Sequence, residues 1–220
     1  MQSILVATPC LYGKVDAYYV HSLCESIKLG LTNELNIRAI FLADESILPM
    51  ARNELINLAY REKYDAMVFI DDDEYWSPET LIEILLSNKD VVGVPVVNKS
   101  DKEIKFNVYP DQNSKNIDSQ DGYFPVPKVG TGFLKLSKKA IVDLCESNPE
   151  IIFRNKKLRN VFEYGQTEGQ FVGEDIMLCT KLTELGYTIW INPSHTVSHL
   201  GPKMYRANFL DSIKSWYDKK

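Results

Sequence analysis

Hydrophobic residues in the first half of the chain occur in short continuous runs, separated by segments where they recur every three or four positions. The runs predict strands buried on both faces, at 4–7, 37–42, 66–70 and 91–96. The intervening segments predict helices at about 16–29, 50–60 and 78–87, the first closed by Gly30. This alternation favours a mostly parallel sheet with helices on both faces.

The alternation breaks after residue 97. Residues 98–122 are polar and predict a long loop with a short antiparallel strand near 106–109. The remaining pattern predicts first a strand at 126–136 interrupted by Gly130 and Gly132, then a helix at 138–146 capped by Ser137, then an irregular region at 150–170. A helix from Gly173 to Gly186, a strand at 187–191 and an amphipathic helix at 205–217 follow. We therefore expect a single α/β domain over 1–220.

Composition narrows the class of protein. The chain has 220 residues, 45% of them hydrophobic and 25% charged, which is typical of one soluble globular domain. Its four cysteines show neither disulfide nor zinc spacing, and the N-terminal run predicts a strand rather than a signal peptide, so we expect a cytoplasmic protein without a membrane span. A net charge of −5 argues against a large nucleic-acid interface, although lysines at 99–105 and 154–159 leave brief docking open.

Three consecutive aspartates, Asp71, Asp72 and Asp73, directly follow the apolar run at 66–70. Open α/β sheets bind ligands at the carboxyl ends of their strands. Adjacent like charges repel unless a cation holds them, and a hard divalent cation prefers oxygen ligands. The alternative is a solvated acidic turn ahead of the next helix.

Two later segments bear on that choice. Glu174 and Asp175 lie in the first turn of a predicted helix, where acids also complement the helix dipole. A single histidine such as His199 is commonly a surface or core residue. Taken in order with the aspartates, however, a carboxylate pair and a distant histidine fit an oxygen and nitrogen shell for Mn²⁺ or Mg²⁺.

In the order and the residues of these motifs, the sequence resembles the GT-A nucleotide-sugar glycosyltransferases and is close to the DxD-containing, family 2-like enzymes. The resemblance rests on five segments, at 51–53 (Ala-Arg-Asn), 69–73, 129–133, 173–175 and 189–201, and leaves out chiefly 98–122, 150–170 and the tail. It implies a Rossmann-like α/β/α sandwich with a mostly parallel mixed central sheet. It also implies a nucleotide-binding half at 1–97, an acceptor- and metal-completing half at 98–204 and a tail helix at 205–220.

The resemblance implies a role for each matching residue. Asp71, Asp73 and His199 would hold Mn²⁺ or Mg²⁺. Asp175, with Glu174 beside it, would act as the general base of an inverting reaction. The donor, a UDP- or GDP-sugar, would lie against Thr8, Pro9, Asp44, Ser46, Arg52, Asp71, Asp72, Gly130 and Gly132; for the two glycines an ordinary bulge is the alternative.

These features predict a metal-dependent hexosyl- or pentosyltransferase. One alternative is a sugar-nucleotide nucleotidyltransferase, although residues 8–14 match its glycine- and lysine-rich loop poorly. Another is a carbohydrate- or nucleotide-binding protein without turnover. The acceptor stays open among a glycan, a protein and a modified DNA base, since compact enzymes of this kind resemble those of viruses and bacteriophages. The pattern does not predict an oligomeric state.

Overall fold

The helices and strands follow from a computed structural model that describes residues 1–109, 119–167 and 169–212. The helices are α1 (Ala17–Thr32), α2 (Leu48–Glu62), α3 (Pro78–Leu86), α4 (Lys138–Ser147) and α5 (Glu174–Glu184). The strands are β1 (Gln2–Cys10), β2 (Leu35–Ala43), β3 (Ala66–Ile70), β4 (Glu74–Tyr75), β5 (Val91–Gly93), β6 (Val108–Tyr109), β7 (Phe124–Pro125), β8 (Lys128–Val129), β9 (Phe133–Ser137), β10 (Glu150–Phe153), β11 (Lys156–Arg159), β12 (Gly165–Thr167), β13 (Gln170–Val172), β14 (Ile189–Ile191), β15 (Ser198–Leu200) and β16 (Met204–Tyr205).

A seven-stranded mixed sheet in the order β2-β1-β3-β9-β5-β14-β7 forms the centre of the fold. Strand β1 is parallel to both β2 and β3, and β14 is parallel to β5. Strand β9 is antiparallel to β3 and to β5, so β2, β1, β3, β5 and β14 all run in one direction. Strand β7 pairs antiparallel with β14 at the edge. The predicted α/β class with a mostly parallel sheet is confirmed.

The central strands are buried on both faces, as their unbroken apolar runs predict. In β1 and β3, Leu5 and Met67 contribute to one hydrophobic cluster, whereas Ile4 and Val68 contribute to the other. Alternate residues of a strand point to opposite faces, so each strand supplies both clusters. The first cluster includes residues of α2, α4 and α5, and the second includes residues of α1 and α3, which gives three layers.

Helix α1 passes through Gly30, which the sequence analysis had placed at its end, and stops at Thr32. A Cβ at Gly30 would lie 2.7 Å from Cδ1 of Ile37. This glycine therefore allows α1 to pack closely on β2. The chain turns instead at Glu34, whose φ is +59°.

Two predictions for the second half were wrong in detail. The single strand expected at 126–136 is divided between β8 and β9. The irregular region expected at 150–170 instead forms the hairpins β10–β11 and β12–β13. Arg154 and Asn155, with φ of +45° and +63°, and Gly169, with φ of +76°, make the tight turns that these hairpins need.

Other predictions for the second half agree with the structure, as far as it extends. Ser137 caps α4 by accepting a hydrogen bond from the backbone N–H of Ala140 at 3.2 Å. The tail helix expected from 205 begins only at 209, because Met204 and Tyr205 form β16 and residues 206–208 are irregular. Residues 209–212 are helical, and residues 213–217 lie outside the described residues, as do residues 110–118 of the long loop. Among the helices described, none has the length and apolar character that crossing a membrane requires.

Candidate functional site

The aspartates lie at the carboxyl end of β3, near the middle of the sheet. The backbone N–H of Asp71 donates to the carbonyl of Gly132 at 2.9 Å, which joins the end of β3 to the start of β9. Parallel strands β1 and β2 end at the same edge, with Thr8 and Pro9 in one and Asp44 after the other. The structure thus brings the N-terminal candidates to one edge of the sheet.

A buried arginine joins two of the acidic motifs. Arg52, on α2, is 3% exposed. One guanidinium nitrogen donates to Oδ1 of Asp71 at 3.0 Å, and another donates to Oε1 of Glu174 on α5. Its Nε has no partner among the described residues. Arg52 therefore fixes α5 against the end of β3, and the donor contact implied by the resemblance remains a prediction.

Glu174 and Asp175 have different environments although they are adjacent. Glu174 is buried and paired with Arg52, whereas Asp175 is partly exposed in the first turn of α5. Oδ1 of Asp175 accepts a hydrogen bond from the backbone N–H of Ile176 at 2.8 Å. Of the two acids, Asp175 is the one whose side chain is partly open to solvent.

His199 reaches Asp73 because β15 pairs antiparallel with β4, with His199 opposite Glu74. Its Nε2 lies 3.3 Å from Oδ1 of Asp73, and its Nδ1 lies 3.0 Å from the carbonyl of Val97. The Lys99 ammonium donates to Oδ2 of the same carboxylate. The sequence predicted that Asp73 and His199 lie together but gave no such role to Lys99, which belongs to the lysine run at 99–105 considered for brief nucleic-acid docking.

The pKa values of the acids at this edge diverge. Burial, together with the charges of Asp73 and Asp71, raises the pKa of Asp72 to about 6. Burial also acts to raise the pKa of Asp73, but hydrogen bonds from His199 and Lys99 outweigh it and hold that pKa below its usual value. Complete burial and the charges of Asp71 and Asp73 raise the pKa of Glu74 well above its usual range. Burial therefore favours the neutral form of Glu74.

The side chains at the end of β3 can be compared with those that a divalent cation requires as ligands. Within residues 1–109, 119–167 and 169–212, no group of three or more His, Cys, Asp or Glu side chains is arranged to hold a metal ion. Asp73 and His199 do adjoin, and the Val97 carbonyl fixes the histidine. The hydrogen bond from Nδ1 to that carbonyl orients the ring so that Nε2 faces Asp73, and metal-binding imidazoles are commonly held through their other ring nitrogen in this way. These two side chains suit a cation, while Asp71 is engaged by Arg52.

Gly130 and Gly132 are required by packing inside the protein. A Cβ at Gly132 would lie 2.4 Å from Oε1 of Glu74 and 3.2 Å from Oδ2 of Asp71. A Cβ at Gly130 would lie 2.7 Å from Nδ2 of Asn107. The space beside both glycines is thus filled by the chain's own side chains, so close packing accounts for them without a ligand.

The candidate donor residues near the ends of β1 and β2 differ in accessibility. Thr8 is buried, and its hydroxyl hydrogen-bonds the hydroxyl of Tyr19 at 2.5 Å. Pro9 is half-buried, whereas Asp44 and Ser46 are exposed. Asp44 has a left-handed backbone with φ of +63°, and its N–H donates to the carbonyl of Leu11 at 3.1 Å. Asp44 and Ser46 are accordingly the accessible members of this set.

Glu74 and Thr131 are polar residues at this edge that the sequence analysis did not assign to the site. Oε2 of Glu74 and Oγ1 of Thr131 are both buried without a hydrogen-bond partner in the part of the chain that the structure describes. An acid directly after Asp73 is visible in the sequence. Its burial is not, because it depends on the pairing of β4 with β15.

Comparison with known proteins identifies the fold. No family model and no curated protein matches the sequence. A crystal structure of GalNAc-T7 with UDP, GalNAc and Mn²⁺ superposes with a TM-score of 0.53 at 11% identity, covering 100% of this chain and 49% of that one. A structure of S. aureus TarS 1–349 with UDP-GlcNAc gives a TM-score of 0.45 at 15% identity, covering 94% of this chain and 58% of the other. A crystal structure of HddC from Yersinia pseudotuberculosis gives a TM-score of 0.35 at 16% identity, covering 65% of this chain and 80% of the other.

This chain therefore spans about half the length of the GalNAc-T7 chain. At 11% identity the likeness to GalNAc-T7 concerns the fold alone. The order of strands and the helices on both faces agree with that likeness. The chain has the Rossmann-like, mixed α/β fold of the GT-A class.

Proposed function

We propose that this protein is a metal-dependent glycosyltransferase that moves a hexosyl or pentosyl group from a UDP- or GDP-sugar to an acceptor hydroxyl. The observation that carries the proposal is the convergence of Asp73, His199 and Lys99 at the carboxyl end of β3. Ligands bind at this edge in open α/β sheets. The UDP and Mn²⁺ named for the GalNAc-T7 structure support the same class of ligand.

Asp73 and His199 would hold Mn²⁺ or Mg²⁺, with Asp71 beside them. When bound, the cation supplies charge stabilisation for a departing nucleoside diphosphate. Lys99, released from Asp73, would add a second positive charge near the same group. Arg52 holds Asp71 and Glu174 in place. Asp72 and the exposed Asp44 and Ser46 are then available to the ribose and base of the donor.

Asp175 would act as the general base. The acceptor oxygen forms a bond to the anomeric carbon while the bond from that carbon to the diphosphate oxygen breaks. The bonding electron pair leaves with the nucleoside diphosphate, and the acceptor proton passes to the Asp175 carboxylate. Attack on the side opposite the leaving group inverts the anomeric configuration. The acceptor is a glycan, a protein or a modified DNA base.

The experiment that tests this proposal measures release of nucleoside diphosphate from a panel of UDP- and GDP-sugars, with Mn²⁺ and then with EDTA. We expect one donor to be hydrolysed slowly in a metal-dependent way and Asp73→Ala to abolish the activity. Asp101→Ala is the matched control, because Asp101 is an exposed aspartate paired with Lys203. Hydrolysis that survives EDTA or Asp73→Ala contradicts the proposal.

The role of Asp175 has a separate test once an acceptor is known. We expect Asp175→Asn to reduce transfer by about a hundredfold or more, as removal of a general base does. Proton NMR of the product reports its anomeric configuration. Near-normal turnover of Asp175→Asn, or a product that keeps the configuration of the donor, rules out inversion by this base.

A further inference from the structure

Two exposed aromatic side chains lie together on the hairpin formed by β12 and β13. Phe171 is 72% exposed and Tyr164 is 52% exposed. Their ring centroids are 5.8 Å apart, and the ring planes are inclined by 33°. Each ring is therefore held beside the other while much of its surface remains open to solvent.

The hairpin directs this pair to one side. Gln166 is directly opposite Phe171 in the antiparallel register, so their side chains share a face. The other face packs towards α5, where a Cβ at Gly165 would lie 2.5 Å from Sδ of Met177. The outer face thus presents two aromatic rings and an amide that can donate and accept hydrogen bonds.

The charge of this segment selects among ligands that bind aromatic surfaces. Residues 160–175 contain four acids, Glu163, Glu168, Glu174 and Asp175, and no lysine or arginine. Binding of a nucleic acid depends on cations that neutralise its phosphates, and residues 160–175 provide none. On the neighbouring hairpin, Arg154, Lys156 and Lys157 are paired with Glu45, Glu54 and Glu150. Aromatic faces flanked by amide, hydroxyl and carboxylate groups instead suit an uncharged, polyhydroxylated ring, whose C–H groups contact the rings and whose hydroxyls are hydrogen-bonded.

The hairpin leads directly to the proposed base. Phe171 precedes Asp175 by four residues, so their Cα atoms are at most about 14 Å apart. Tyr109, which is 51% exposed, lies near Asp175 from a different element, β6. Burial and the Asp175 charge raise the pKa of this tyrosine. Exposed aromatic side chains thus belong to two elements in the neighbourhood of Asp175.

We propose that Tyr164 and Phe171, with Gln166, form a binding site for a sugar ring of the acceptor, so that the acceptor is a saccharide. This inference rests on the proposed function, since it places the ring next to the base of that reaction. A ring bound on the hairpin brings a hydroxyl of the same or the adjoining sugar unit within reach of Asp175.

Saturation-transfer NMR with methyl glucoside, methyl galactoside and methyl mannoside tests the site without turnover. We expect at least one glycoside to bind the wild type, and Phe171→Ala and Tyr164→Ala to weaken its affinity by roughly threefold to tenfold, the effect of losing an aromatic contact. Ile152→Ala is the control, because Ile152 is 76% exposed on the neighbouring hairpin β10–β11. Since both aromatics are exposed, we expect all three variants to retain the wild-type melting temperature.

The inference is overturned if no glycoside binds the wild type or if the aromatic variants bind as tightly as the wild type. It is also overturned if Ile152→Ala loses as much affinity as the aromatic variants. A short oligothymidylate serves as a competing probe, and its binding in place of the glycosides would also overturn it. Loss of self-association in Phe171→Ala by sedimentation, with glycoside binding unchanged, would assign the surface to contacts between copies of the chain. Metal-dependent donor hydrolysis, measured in parallel, should be unchanged in the control Ile152→Ala, and its absence from the wild type contradicts the proposed function alone.

Discussion

The Lys99 ammonium lies on the Asp73 carboxylate, so a divalent cation must displace it before using both oxygens of that carboxylate. Replacing Lys99 with methionine removes the competing charge and keeps an unbranched side chain to pack over Gly201, where a Cβ would lie 3.2 Å from Cδ of Lys99. We therefore expect Lys99→Met to bind Mn²⁺ more tightly than the wild type. The direction of this change in affinity follows from the geometry. Without Lys99, the cation no longer has to break an ion pair with Asp73 and is no longer repelled by a neighbouring positive charge.

The size of the effect follows from the exposure of the pair. Both side chains are 33% exposed, so solvent screens their attraction, and an ion pair of this kind contributes about 1 kcal/mol at most. Its removal should raise the Mn²⁺ affinity by about fivefold. Isothermal titration calorimetry with Mn²⁺, at fixed ionic strength, measures the change without depending on a donor or an acceptor.

Lys102→Met is the matched control, since it removes the same charge from an exposed position on the same loop. We expect its Mn²⁺ affinity to match the wild type within a factor of two, because Asp73 is paired with Lys99 and His199, and solvent and salt screen the charge of an exposed lysine. Unchanged or weaker binding by Lys99→Met refutes the competition between Lys99 and the cation. Failure of every variant to bind Mn²⁺ refutes the cation site itself.

Three further predictions concern stability, each measured by urea denaturation. Arg52→Met should destabilise the protein by about 3–5 kcal/mol, because it leaves Asp71 and Glu174 without their buried cation; Arg52→Lys should recover only part of this, and a loss below about 1 kcal/mol contradicts the bridging role. Gly132→Ala should cost about 1–3 kcal/mol, because its Cβ would lie 2.4 Å from a buried carboxyl oxygen; a neutral result would mean that the Glu74 side chain moves freely. Burial lowers the pKa of Lys135 to about 8 despite the nearby Asp90. The unfolded chain then binds more protons between about pH 8 and 10.5, so stability should rise with pH in that window, by about 3 kcal/mol at most, relative to Lys135→Met. If the unfolding free energies of the wild type and Lys135→Met change in parallel over this pH range, the effect is excluded.

The fold was largely accessible from the sequence because its first half depends on local patterns. An apolar run such as 66–70 needs no knowledge of its neighbours to predict a strand buried on both faces. Helix limits were likewise predicted from local signals. Ser137 precedes the first residue of α4, and α5 ends shortly before Gly186, as expected. The hairpins at 150–172 were missed because their strands are short and partly exposed, which leaves little alternation to detect.

The candidate site was accessible only in part. Its acids and its histidine could be identified by type and order, but their partners could not. The pairing of Arg52 with Glu174 and of Lys99 with Asp73 brings together residues from separate elements. Periodicity reports how buried a position is, whereas the identity of a partner depends on how helices and strands pack.

The sequence by itself determined that this is an α/β protein whose third strand ends in three aspartates, because apolar runs, helical spacing and charge are local properties of the chain. Only the tertiary structure decided what those aspartates contact. The pairing of β15 with β4 puts His199 beside Asp73 and buries Glu74. Arg52 on α2 is buried between Asp71 at the end of β3 and Glu174 on α5. The physical reason is that a charge in a partly buried site is stable only with a partner, and three-dimensional packing determines which partner is near.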